Sequence, residues 1–156
     1  TEEQKQLYNF IVAYRDALFR YIKPGVTSDE VLDKAAAEMK EYLKDKSFVK
    51  ESHRKAVEDG LKFRGHFQHP VGMAVHDVGV VRGVPLKEGM VFTIDPMIWL
   101  HDERLYIRIE DVALVTKDGI ENLSDFVPSK LEDVEATIQK KGLMNFRPPV
   151  DLSNMK

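Results

Sequence analysis

The hydrophobic period of this chain changes once, near Phe63, and that change restricts the fold more than any other feature. Ahead of it, apolar residues recur at helical spacing. Leu7, Phe10, Ile11, Tyr14, Leu18 and Ile22 form one stripe, and Val31, Leu32, Ala35, Met39, Tyr42 and Leu43 form a second. Each stripe opens on a capping box, Thr1-Glu2-Glu3-Gln4 and Thr27-Ser28-Asp29-Glu30. Pro24-Gly25 closes the first helix. A weaker helical stretch covers residues 51–60. From Phe63 to Thr116 the chain reads as strand. "GMVFTID" sets Met90, Phe92 and Ile94 against Val91, Thr93 and Asp95; "LYIRIEDVALVT" sets Leu105, Ile107 and Ile109 against Tyr106, Arg108 and Glu110. Lys117-Asp118-Gly119 is a turn, and a last helix is expected over 129–141, ended by Gly142. Helices followed by strands and a helix imply an α+β fold, an antiparallel sheet covered by helices on one face. Residues 1–142 are expected to form one domain, and 143–156 an extended, Pro-containing surface tail.

Composition excludes several classes. The formal net charge of the 156 residues is −3 with the two signs interspersed, so no basic stripe offers itself to nucleic acid. There are no cysteines, which removes disulfides and thiolate metal sites. Any metal must be held by His, Asp or Glu. No apolar run approaches the roughly 20 residues of a membrane span, and no signal peptide is visible. A cytoplasmic location without membrane attachment is the expectation.

Two patterns carry chemistry. In the first, Asp95 and Glu110 are symmetric about a point between Asp102 and Glu103. A single hairpin turning at 101–104 would set them directly opposite on one face, with Cβ atoms about 5 Å apart. Two like charges there repel, and a cation between them reverses the sign. In the second, "GHFQHPVGMAVHD" holds three of the chain's five histidines, His66, His69 and His76. His69 and His76 are an odd number of residues apart and would face opposite sides of a regular strand. They converge only if the chain bends, and Gly72 permits a bend. Imidazole and carboxylates together suit a hard or borderline divalent ion.

"HPVGMAVHDVG", "LKEGMVFTIDPMIW" and "YIRIEDVALVTKDG" resemble the successive motifs of the pita-bread metallopeptidases. "RIEDV" is more similar to the Xaa-Pro aminopeptidase (aminopeptidase P) and prolidase branch than to the methionine aminopeptidases. The helical front is similar to the segment preceding those motifs, so the resemblance reaches to about Gly142. It implies that His69, Asp95 and Glu110 are metal ligands, with Glu110 bridging two ions. It implies that His76 contacts substrate, that His66 lies near a further active-site histidine, and that Arg108 orients Glu110. It also implies two divalent ions, Mn, Co or Zn, which share and activate a water for attack on the peptide carbonyl.

Three departures qualify what the resemblance implies. Asp95 stands where the family usually has Glu, one methylene longer. His66 precedes His69 by three residues where many relatives have four. The family's site also takes two aspartates from a strand pair upstream of the helix matching 1–22. Asp29, Asp33, Asp45 and Asp59 fall on helices or turns and are poor substitutes. The expectation is therefore the C-terminal half of a pita-bread catalytic domain, binding at most one ion weakly and inactive alone. A homodimer and a peptide substrate with proline at its second position complete it. Two non-enzymatic alternatives are a pita-bread module kept for protein binding and a metal-free α+β interaction domain.

Overall fold

The computed structural model describes residues 1–146. Helix α1, Glu2–Tyr21, and helix α2, Ser28–Lys44, begin at Thr1 and Thr27, and both capping boxes form. Side chains of Leu7, Phe10, Ile11, Tyr14, Ala17 and Leu18 are buried along one stripe of α1, facing Val31, Leu32, Ala35, Met39 and Leu43 of α2. Helix α3 follows at Glu51–Gly60. The Gly60 backbone runs so close to the segment around Ile98 that an added Cβ would lie 2.9 Å from Ile98 Cγ2.

Strands β1 (Phe67–Pro70), β2 (Val91–Ile94), β5 (Asp111–Val115) and β6 (Ile120–Asn122) form an antiparallel sheet in the order β1-β2-β5-β6. Strands β3 (Met97–Leu100) and β4 (Leu105–Arg108) form a separate two-stranded ribbon. The expected hairpin is thus broken into two pieces, yet its register survives the break. Val91 pairs with Leu114 and Ile94 with Asp111 in the sheet; Met97 pairs with Arg108 and Leu100 with Leu105 in the ribbon. Every pair is symmetric about the same point between Asp102 and Glu103. Asp95 and Pro96 therefore lie across from Glu110 and Ile109, and the Ile109 N–H donates to the Pro96 carbonyl at 3.3 Å.

Alternation then sorts the side chains. Phe92, Ile94, Ile98, Leu100, Ala113 and Val115 turn toward the helices and are buried. Thr93, Asp95, Trp99, Tyr106, Arg108 and Glu110 share the opposite face. Asp111 sits on the helix side, where Arg15 of α1 grips it through Nε at 2.7 Å and a second guanidinium nitrogen at 3.3 Å. Asn122 and Ser124 donate to the same carboxylate at 2.9 and 2.8 Å.

Several expectations need correction. Residues 71–90 were expected to be strand-like; they are loops and turns apart from an isolated bridge between Thr27 and Pro85. That stretch holds Gly72, Gly79, Gly83 and Gly89, three of them at positive φ, and a ladder cannot run through such punctuation. The last helix, α4, spans only Leu131–Ile138. The start of the tail is not extended: Leu143–Phe146 forms a helical turn, α5. The rest of the tail lies outside the described residues.

Candidate active site

A bulge in β1 aims the first of the site residues. Phe67 pairs with Ile94 and Pro70 with Phe92, so three steps on β1 match two on β2. The extra residue keeps Phe67 in the core while turning His69 to the open face beside Thr93 and Asp95. The His69 ring is then held by its own neighbourhood. Nδ1 donates to the Pro70 carbonyl at 3.1 Å, which leaves Nε2 on the side of Glu110, 3.7 Å from its Oε1. His76 comes back over His69 with ring centroids 4.5 Å apart. The expected bend is real: a side chain at Gly72 would occupy the place of the Asp77 carboxylate, which accepts from Ala74 N and Val78 N at 3.3 and 2.7 Å.

The two carboxylates differ. Glu110 is half-exposed. Asp95 is buried, and its Oδ1 has no hydrogen-bond partner. Burial and the neighbouring Glu110 push the Asp95 carboxyl up to about 7, against the pull of Arg108 and Arg82. Arg108 spans the pair, with one nitrogen 3.4 Å from Asp95 Oδ2 and another 3.1 Å from Glu110 Oε2. The structure thus brings His69, His76, Asp95, Arg108 and Glu110 together at the break between sheet and ribbon.

His66 is not among them. It is fully buried on the helix side, where Nε2 donates to the Gly60 carbonyl at 2.8 Å and Nδ1 accepts from Met97 N at 3.3 Å. Tyr14 and Phe63 pack edge-on against its ring. Burial holds its pKa down to about 4, so it is a neutral core histidine with both nitrogens used. The four-residue spacing falls on Gly65 instead, where an added Cβ would collide with the Phe63 ring.

Sequence reasoning missed two residues here. Arg82 donates to the Phe67 carbonyl at 3.0 Å and lowers the Asp95 pKa from within the loop region; nothing in a lone arginine announces that. Thr93, buried with an unpartnered hydroxyl, lies two residues before Asp95 on the same face, and strand alternation could have found it.

A buried carboxylate with one orphaned oxygen, an imidazole whose Nε2 stands toward Glu110, and Glu110 itself as a second carboxylate define a polar cleft suited to a divalent ion, on an antiparallel sheet backed by helices. Residues 1–117 match the model of metallopeptidase family M24, and the chain belongs to that family. The chain is 30% identical over 146 residues to Xaa-Pro aminopeptidase 3 of Rattus norvegicus, covering 86% of this chain and 29% of that protein. It is 29% identical over 156 residues to the Xaa-Pro aminopeptidase of Escherichia coli, covering 87% and 34%. Among solved structures it is similar to zinc-substituted E. coli aminopeptidase P in complex with product, with a TM-score of 0.68, 28% identity and coverage of 91% and 36%. The chain spans about a third of the length of these relatives.

Proposed function

We propose that this chain is part of a metal-dependent aminopeptidase that cleaves the bond between an N-terminal residue and a following proline. The observation that carries the reading is the meeting of His69, Asp95 and Glu110 on one face at the sheet–ribbon break, in a member of family M24. These three residues would hold the metal: His69 through Nε2, Asp95 through its orphaned Oδ1, and Glu110 through either oxygen. A bound divalent ion supplies Lewis-acid polarisation of the peptide carbonyl and lowers the pKa of a bound water. Arg108 engages Asp95 Oδ2 and Glu110 Oε2, so Asp95 Oδ1 and Glu110 Oε1 are the oxygens that would be left for a cation. His76 is exposed beside His69 and can donate to the developing oxyanion. Similarity to Xaa-Pro aminopeptidases supports the choice of a proline at the second position.

Three donors are too few to hold a bridged pair of ions. Residues 1–156 alone should bind at most one ion, weakly, and hydrolyse little. The test is cleavage of an Xaa-Pro peptide with added Mn²⁺ or Co²⁺, by this chain and by a protein extended upstream through two further aspartates. Activity confined to the longer protein and abolished by Glu110→Ala is expected; equal rates from both overturn the proposal. One observation favours a second reading, a non-catalytic binding module. The Arg108 guanidinium already supplies a cation to both carboxylates. Titration of the longer protein with Mn²⁺ separates the two, since the module takes up no ion.

A further inference from the structure

The tightest gathering of metal-donor atoms among the described residues lies away from the cleft. Glu3, His53 and Glu103 each bring a donor atom to within 4.8 Å of the others. They come from three elements: the first turn of α1, the first turn of α3 and the tip of the β3–β4 ribbon. We propose that Glu3, His53 and Glu103 form a second cation site, one that takes a borderline divalent ion of the Zn²⁺ type at the ribbon tip.

The geometry goes beyond acidic crowding. His53 is 1% exposed, and its Nδ1 has no partner. Its one polar outlet is Nε2, which faces Glu103 and stands 3.0 and 3.1 Å from the two carboxylate oxygens. A ring so buried has its rotamer fixed before any ligand arrives. First-row divalent ions hold nitrogen and oxygen donors at about 2.0–2.2 Å, which sets neighbouring donors roughly 3.0–3.5 Å apart. Nε2 and the Glu103 oxygens already have that spacing. One imidazole and two carboxylates are a donor set that such ions accept.

The charges also favour an ion. Lys50 now sits in the cradle, its Nζ 2.9 Å from Glu3 and 3.0 Å from Glu103. One ammonium against two carboxylates leaves a net negative site beside the His53 imidazole, whose Nε2 is engaged by Glu103 alone. The Lys50 side chain is 42% exposed, so it can leave the cradle for solvent. A divalent ion replaces it, adds the imidazole as a ligand and neutralises the two carboxylates. Lys50 is then a competitor, which a purely structural ion pair would not make it.

That competition gives the test its sign. The chain is prepared with Asp95→Asn and Glu110→Gln, so that no ion held in the cleft is counted, and titrated with Zn²⁺ by calorimetry. One ion per chain is expected. Glu103→Gln should weaken binding at least tenfold, and His53→Gln should abolish it. Lys50→Gln should tighten it several-fold. Glu3→Gln and Glu103→Gln alter only surface carboxylates, so they stay informative should His53→Gln fail to fold. No Zn²⁺ uptake at millimolar concentration overturns the proposal. Uptake indifferent to Glu103→Gln, or weakened by Lys50→Gln, overturns it equally. Because the cleft carboxylates are removed beforehand, failure here is distinct from failure of the aminopeptidase reading.

Discussion

His66 and Asp95 lie on opposite faces of the chain and titrate in opposite senses. Folding holds His66 down to about 4, whereas the unfolded chain takes a proton there near 6.5. Its contribution to stability is complete above 6.5 and is lost as pH falls from 6.5 to 4, a change on the order of 3 kcal/mol. Asp95 runs the other way. Its folded carboxyl keeps a proton up to about 7 and its unfolded one releases it near 3.8. The stability it contributes is present below 3.8 and is lost as pH rises through 7. Between 4 and 6.5 the two contributions offset each other in the metal-free chain. Asp95→Asn should therefore unmask a loss of stability with acid, and His66→Asn a loss with base. Urea midpoints at pH 4 to 7 in EDTA check both; a variant with the same pH slope as the parent would show that its residue does not titrate as described.

At the scale of elements, the helix starts and the hairpin register were legible in the sequence. Capping boxes are local chemistry, so Thr1 and Thr27 could be read directly. Thr27→Ala should cost about 1 kcal/mol in urea unfolding, since the Glu30 N–H loses its acceptor at 3.3 Å. The register was legible because alternation and the symmetric placement of Asp95 and Glu110 pointed to one pairing. The break at Pro96 was not legible. Pro96 has no N–H for the ladder, yet its carbonyl still pairs, so the strands part without slipping. The bulge in β1 was equally hidden, because "FQHP" carries no glycine to mark it. His66 was misread because three histidines in eleven positions look like one group, while a bulge and a short loop send them to different faces. Gly72→Ala should displace the Asp77 carboxylate and release His76 from His69. The check is the contact between the two histidine rings, read as NMR cross-peaks that vanish in the variant with little change in melting temperature.

At the scale of the whole molecule, one buried ion pair joins the helical layer to the sheet. Arg15 and Asp111 are both largely buried, and Asp111 directly follows Glu110. Arg15→Ala strands a buried carboxylate, leaves only Asn122 and Ser124 to satisfy it, and should cost about 3–5 kcal/mol. Denaturant unfolding measures this, and a cost below 1 kcal/mol would show that the two layers are held by apolar packing alone. The open face of the molecule has a different character. Met73, Val75 and Val78 stand in solvent on the loop over the cleft. An exposed apolar cluster suits a partner surface, and the homodimer expected from the sequence should appear in light scattering as a mass that falls on dilution; a single monomer mass at high concentration counts against it. Among the described residues no helix is long and apolar enough to cross a membrane.

The glycine at position 65 also restricts substitution. Phe63 fills the space that a side chain at Gly65 would need, and Phe63 is itself held edge-on by Trp99 and His66. A histidine at 65 requires the Phe63 ring to move, because an added Cβ would overlap it. Phe63→Ala makes that room and leaves an unfilled space beside Trp99 and His66. Any route to a side chain at 65 passes through a change at 63.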